Sequence, residues 1–356
     1  MKIWIDVLTP KQALFFGAIA EKLDRHGCSL LVTYREFKET EKLLSYKLLK
    51  YSPIKVGVYG GGSLVNKLRC SLERSLQLLP IVREFNPDIV ISYCSPEAAR
   101  VAFGLAKPHY AICDIPQASA VLKLTLPLSE RLYSPWIIPK GAWTKYGINS
   151  RNIFRYRGLD PIAWLNNYNF NRSVLEELGI GDSPYIVVRS VEQYASYQLS
   201  ILNKWVSRID NWIYSLLREL REYKVVILCR YEDQVRMFRK LFKEVEQIVV
   251  PEEPVDGPSL LKFSSLFIGY GGTMTMEAAL LGIPSISLRP GNPPYYIKYL
   301  VRKGLVVYLK REENVVNTVI SLLSKREKIS RLARKLYSKL EDPADYISKS
   351  VLGILE

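Results

Sequence analysis

The sequence predicts a two-domain α/β protein built on parallel sheets, and three observations carry that prediction. At 356 residues the chain is long for a single domain of about 100–200 residues. Short apolar runs alternate with stretches of helical periodicity, the pattern of parallel strands covered by helices on both faces. The composition is 48% hydrophobic and 24% charged, so each half can bury a core without disulfides or metals.

In the first half, residues 2–6 are an apolar run ending at Leu8-Thr9-Pro10. Helical spacing follows over 12–26 (Leu14, Phe15, Ala18, Ile19, Leu23), and Gly27 stops it. A strand is expected over 29–33, a helix over 38–49 and a strand over 54–58. Gly60-Gly61-Gly62-Ser63 leads into a long helix over 64–84. Asn86-Pro87-Asp88 turns into a buried strand at 89–92, and Ser95-Pro96-Glu97 opens a helix to 105 with Pro at its favoured first position. A strand follows at 110–113. Residues 114–149 are less regular, and 151–161, with breakers Gly158 and Pro161, read as a link between halves.

The second half restarts with a strand at 185–188. Helices are expected over 206–221, 232–242, 260–264 and 273–281, and strands at 224–229, 247–250, 266–268, 285–288 and 306–308. From Val315 the chain is mostly helical and basic, which reads as a solvated helix face or, more sharply, as a surface for phosphate or anionic membrane.

Several classes are disfavoured. No run of about 18 uncharged apolar residues suggests a membrane span, and the N-terminus lacks the apolar core of a secretory signal, so a cytoplasmic location is expected. Five cysteines without a C-x-x-C pair, beside only two histidines, make a zinc site improbable. Cys94, Cys113 and Cys229 read as small buried hydrophobes. A net charge of +15 suits anionic partners, or is a solubilising surface bias. Without a nucleic-acid motif or a stripe of Arg and exposed aromatics, nucleic acid is not the expected partner.

The most informative stretch runs from Phe267 through Gly269-Tyr270-Gly271-Gly272-Thr273 and Glu277 to Gly282-Ile283-Pro284. It reads as strand, glycine turn, helix, tight turn and strand. Glycines let backbone approach a ligand closely, and a helix amino end presents unpaired N–H groups and a positive dipole end to phosphate. Glu277, placed within about the first turn, could accept hydrogen bonds from two ribose hydroxyls. The plainer roles are a tight turn and a carboxylate complementing the dipole.

This stretch resembles the donor-binding element of the GT-B superfamily, which holds sugar-nucleotide glycosyltransferases and UDP-N-acetylglucosamine 2-epimerases. More narrowly, the chain resembles the archaeal family labelled domain of unknown function 354. The carriers are residues 1–16 (Met1-Lys2-Ile3-Trp4-Ile5-Asp6 through Phe16), Ser95-Pro96-Glu97-Ala98-Ala99-Arg100, and the stretch from Gly271 to Pro284. The resemblance implies a GT-B-like fold of two Rossmann-like domains with parallel sheets facing an interdomain cleft. The expected boundaries are 1–155 for an acceptor-side domain, 156–335 for a nucleotide-sugar domain, and 336–356 for a helix crossing back to the first. By the same resemblance Gly271, Gly272, Thr273 and Glu277 contact diphosphate and ribose.

In such a fold the strand ends face the crevice. Arg189 and Arg230, each after a strand of the second half, are then candidates for the diphosphate, which guanidinium groups suit well. In the first half Asp6, Glu97 and Asp114 are the candidate catalytic carboxylates. Each has a plainer role: Asp6 and Glu97 at helix starts, Asp114 at a strand end. Lys11 is either a phosphate partner or a solvated charge. Many GT-B transferases carry a histidine base in the first loop, and this chain has none there. Relatives tend to carry histidine where Gln117 stands. His26 and His109 read as surface and structural residues. Gly60-Gly61-Gly62-Ser63 could hold a second phosphate, but without a following Lys-Ser/Thr pair it is no P-loop.

The expected function is a metal-independent, nucleotide-sugar-dependent glycosyltransferase acting on a glycan or lipid-linked, phosphate-bearing acceptor. A UDP-sugar is its substrate, no separate cofactor is needed, and peripheral contact with anionic membrane is expected. The alternatives are a 2-epimerase-like isomerase, with Glu97, Asp114 and Glu130 as acid/base candidates, and a non-catalytic nucleotide-sugar-binding module.

Overall fold

The computed structural model describes residues 1–36, 48–191, 209–288 and 291–355. The helix expected over 38–49 lies, but for its last two residues, outside them. Of the helix expected over 206–221, the described part is Ile209–Glu219.

The chain divides into two compact units, Met1–Trp164 with Glu341–Glu356, and Leu165–Leu340. In the first unit the strands are β1 (Lys2–Val7), β2 (Ser29–Tyr34), β3 (Ile54–Lys55), β4 (Ile89–Ser92), β5 (His109–Ile112), β6 (Arg131–Pro135) and β7 (Ile153–Tyr156). They form one parallel sheet in the order β3-β2-β1-β4-β5-β6-β7. In the second, β8 (Tyr185–Arg189), β9 (Lys224–Leu228), β10 (Ile248–Val249), β11 (Leu266–Gly269), β12 (Ser285–Ser287) and β13 (Val306–Tyr308) form a parallel sheet in the order β10-β9-β8-β11-β12-β13. Each order reverses direction beside its first strand, between β1 and β4 and between β8 and β11. Such a switch point leaves a crevice outside the carboxyl ends of the strands, where open α/β sheets bind ligands.

Central strands β1, β4, β8 and β11 are almost wholly buried, which is why they read as continuous apolar runs. The first helix begins at Pro10, with Thr9 before it in extended conformation. Helix Leu64–Phe85 opens at Ser63, whose side chain accepts from the Asn66 amide, and ends at Asn86 in the left-handed region.

Two strands lie where the sequence suggested irregular chain. β6 falls inside 114–149, and β7 inside the supposed link 151–161, so that stretch belongs to the first sheet rather than joining the halves. Ser134 and Pro135 interrupt the apolar run of β6, and the exposed Arg155 interrupts that of the edge strand β7, so neither resembles a core strand in sequence. The strand expected at 54–58 shrinks to Ile54–Lys55.

Helix Pro343–Val351 packs on helix Pro10–Arg25 within the first unit. Lys22 lies 3.2 Å from Asp342, the Arg157 amide donates to Glu341 at 2.7 Å, and Tyr133 Oη bonds Ser350 Oγ at 2.9 Å. Among the described residues no helix is long and apolar enough to cross a membrane.

Candidate functional site

The carboxyl edge of the first sheet holds two networks of buried charge. Asp6, next to last in β1, is fully buried. Arg74 reaches it from helix Leu64–Phe85 with two guanidinium bonds, Nη2 to Oδ1 at 2.5 Å and Nη1 to Oδ2 at 3.0 Å. Thr33 donates to the same carboxylate at 2.7 Å. Burial works to raise the Asp6 pKa, but the Arg74 charge and these hydrogen bonds outweigh it and hold it below the ordinary carboxylate value. Glu97, in the first turn of helix Pro96–Gly104, accepts from Ser95 Oγ at 3.2 Å and lies 3.9 Å from Arg74.

The second network surrounds Lys11. Its ammonium is 2.7 Å from both Asp114 and Asp160 and donates to Tyr93 Oη at 2.7 Å. Tyr93 and Tyr156 donate to the two oxygens of Asp160, at 2.7 and 2.6 Å. Lys11 is thus neither a solvated charge nor open to a phosphate. Burial disfavours its cation, yet the two carboxylates keep its pKa above the ordinary lysine value. Burial pushes Asp114 above the ordinary carboxylate value, and the Asp160 charge adds to this against the pull of Lys11.

Sequence reading missed Arg74, Tyr93, Tyr156 and Asp160. The one available signal for Arg74 was an arginine on the core-facing side of a helix, followed by apolar positions Leu78 and Val82 one and two turns on. Nothing local marked Asp160, which stood in a presumed linker.

The two histidines take structural places. His26 is exposed, and its Nδ1 meets the Lys22 carbonyl. His109 is fully buried, with Nε2 2.8 Å from Ser92 Oγ and Nδ1 2.9 Å from Ser129 Oγ. Ser129 gives its hydrogen to the Thr125 carbonyl, so it accepts from Nδ1–H and leaves Nε2 as the acceptor from Ser92. Burial lowers the ring's pKa to about 4. Glu130 immediately precedes β6, at the opposite edge of the sheet, and is exposed. It therefore cannot join Glu97 and Asp114. At Gly60 an added Cβ would meet Lys67 backbone at 2.7–2.8 Å, so close packing against the helix start accounts for that glycine.

In the second unit the switch point brings together residues far apart in sequence. Arg189 ends β8 and is directly paired in register with Gly269, which ends β11. From Gly269 the chain passes through Tyr270-Gly271-Gly272 into helix Thr273–Leu280. Residues 271–274 are half-buried, whereas the helix from Thr275 onward is buried, so the amino end keeps access to solvent. An added Cβ at Gly271 would meet nothing within 4 Å, while at Gly272 it would run into the phenol ring and hydroxyl of Tyr296. The first glycine thus borders open space and the second a buried tyrosine. Glu277 is buried and lies in the second helical turn, deeper than the first-turn place expected for it.

Arg189 Nη1 donates to the Cys229 carbonyl at 3.1 Å, tying the ends of β8 and β9 together. Cys229 is half-buried rather than buried, while Cys94 and Cys113 are buried as expected. Gln234, another residue the sequence did not single out, fixes both loops: its Oε1 accepts from Ser190 Oγ at 2.9 Å and from the Arg230 amide at 3.1 Å, and its Nε2 donates to the Val191 carbonyl at 2.8 Å. Arg189, Arg230, Gly271, Gly272 and Thr273 therefore all lie at the carboxyl edge of this sheet. Asp6, Glu97 and Asp114 lie at the carboxyl edge of the other.

Known proteins share this architecture. An uncharacterized protein of Methanocaldococcus jannaschii is 29% identical over 364 residues, covering 100% of this chain and 99% of that one. The crystal structure of a putative UDP-N-acetylglucosamine 2-epimerase from Listeria monocytogenes superposes with a TM-score of 0.77 at 16% identity, over 100% of this chain and 97% of that one. The UDP-GlcNAc 2-epimerase of Neisseria meningitidis, bound to UDP-GlcNAc, gives 0.74 at 17% identity, over 99% and 100%. At these identities the likeness establishes the fold, which is GT-B-like. The family model described as "Protein of unknown function (DUF354)" matches residues 1–356, and the chain belongs to that family.

Proposed function

We propose that the protein is a nucleotide-sugar-dependent glycosyltransferase, with the nucleotide held at the switch point of the second sheet. The observation that carries this reading is the register pair Arg189–Gly269, which sets a guanidinium beside a glycine turn and an accessible helix amino end. A diphosphate leaving group develops negative charge as its bond to the sugar breaks. Backbone N–H groups, the helix dipole and Arg189 or Arg230 suit that charge without reorganising. Glu277 is assigned to the ribose hydroxyls. These cations and amides would take the charge-neutralising task that a metal ion could otherwise perform. A glycan or phosphate-bearing lipid hydroxyl would be the acceptor, and Asp114 or Glu97 the group that takes its proton. Asp6, neutralised by Arg74, is the weakest of the three carboxylates for that task.

A second reading, a UDP-GlcNAc 2-epimerase-like isomerase, draws support from Asp114. A carboxyl whose pKa burial raises can carry a proton that an acid/base isomerisation requires. The Neisseria structure of the same fold, solved with UDP-GlcNAc, favours the same class of ligand.

Thermal unfolding with a panel of nucleotides tests the binding step, since a ligand held by the native state raises the midpoint. UDP and UDP-sugars should raise it; no shift with any nucleotide defeats both readings. Incubation with UDP-sugars then separates them. Donor consumption only with an added lipid or glycan acceptor supports transfer, conversion of UDP-GlcNAc without acceptor supports epimerisation, and binding without turnover leaves a carrier.

A further inference from the structure

Helix Leu64–Phe85 buries one face on its own unit through Arg74, Leu78 and Val82. On another face it exposes Leu64, Val65, Leu68, Leu72, Leu76 and Leu79, between 42% and 76% of each being open to solvent. At 100° per residue, the five from Val65 to Leu79 fall within an arc of about 80°, a continuous stripe along a helix about 33 Å long. The stripe presents on the order of 600 Å² of apolar surface, the upper end for a monomer's largest patch and most of the roughly 800 Å² each partner gives a standard interface.

We propose that this stripe is the interface with a second copy of the chain, formed by the two helices packing antiparallel about a two-fold axis at Leu72. The argument is the spacing. From Val65 the stripe advances by three, four, four and three residues to Leu79, and that order is the same read from either end. A two-fold axis requires a self-complementary surface on which residue i meets j and j meets i. Here Leu72 meets its own copy, Leu68 meets Leu76, and Val65 meets Leu79. Steps of three and four are also those that keep a seam facing a partner helix. The polar face of the helix argues against an anionic membrane as the occupant. Helices that lie in a membrane surface carry an excess of Lys and Arg on the polar side, whereas the exposed charges of this helix, Arg69 and Arg83 against Glu73 and Glu84, cancel, and Arg69 is bonded to Glu73 at 2.7 Å.

Sedimentation velocity of the full chain at tens of micromolar tests the proposal. The wild type should sediment as a dimer and the double variant Leu72→Glu/Leu76→Glu as a monomer with the same circular dichroism, because both side chains are exposed; its thermal midpoint should fall and lose the concentration dependence that a dimer confers. In a Cys70→Ser background, Leu72→Cys should give a disulfide-linked dimer under mild oxidation and Gln77→Cys should not; this pair decides the matter should the double variant fail to fold. A monomeric wild type, or a dimer that survives the double substitution, overturns the proposal. So does a monomer that co-sediments with phosphatidylserine vesicles through the same leucines, which would assign the stripe to a membrane.

Discussion

At the carboxyl edge of the first sheet, Asp6, Asp114 and Asp160 are buried and each lies against a cation of its own unit, Arg74 or Lys11. At the carboxyl edge of the second, Arg189 lies against a carbonyl, and a half-buried glycine turn leads into a helix amino end. The difference follows from the cost of burying charge. A carboxylate removed from water must be paired or it shifts its pKa and neutralises. The first edge therefore satisfies its charges internally and holds Asp6 below and Asp114 above the ordinary carboxylate range. The second edge relies on backbone amides and a guanidinium, groups that keep their positive character whether or not an anion is present. In the proposed reaction the first edge would supply proton transfer and the second would hold the anionic ligand.

Four measurements would break or sharpen that contrast. The largest effect is expected from Arg74→Ala, which leaves the Asp6 carboxylate buried without its cation. Removing one partner of a buried pair costs about 3–5 kcal/mol, read as a lowered urea midpoint of the first unit. A loss under about 1 kcal/mol would mean that Asp6 is not held by Arg74.

His109, which begins β5 at the opposite edge of the first sheet, gives that unit an acid sensitivity. The unfolded ring takes its proton near 6.5, whereas the buried ring does so only near 4. Its contribution is unaffected above pH 6.5 and is lost as the pH falls below that value, by about 3 kcal/mol at pH 4. Wild-type and His109→Gln stability measured from pH 7.5 to 4 should diverge with that slope. Parallel curves would remove His109 as the cause.

The two glycines of the second edge should differ. Gly272→Ala drives a methyl into Tyr296 and should cost about 1–3 kcal/mol of stability. Gly271→Ala enters open space and should stay within about 0.5 kcal/mol. Equal effects on unfolding midpoints would contradict the local geometry. The last measurement concerns Glu277, where the effect expected is on binding rather than on folding. Glu277→Gln should weaken UDP binding about tenfold, near 1.4 kcal/mol, by isothermal titration of protein with an unchanged circular dichroism spectrum. Unaltered affinity would reject its ribose role.

Wherever one local rule sufficed, the sequence was a good guide. Buried parallel strands read as apolar runs, and β1, β4, β8 and β11 were legible as such. The glycine turn before Thr273 and the proline start of helix Pro96–Gly104 were legible from turn and cap chemistry. β6 and β7 were not, since Ser134, Pro135 and Arg155 dilute their apolar character and only their neighbours make them strands. The candidate site was legible in part. The singled-out residues other than Glu277, which lies deeper in its helix, stand at a carboxyl sheet edge, but their roles depended on partners the sequence could not supply.

What the chain's order of residues determined by itself is the alternation of strand and helix, because side-chain period and turn chemistry act over a few neighbours. Which charges meet was decided only by the tertiary structure. Asp6 finds Arg74 across 68 positions and Lys11 finds Asp114 across 103, and Arg189 is brought beside Gly269 by a crossover of the sheet. Ion pairing in a low-dielectric interior depends on distance in space, a quantity that separation along the chain does not set.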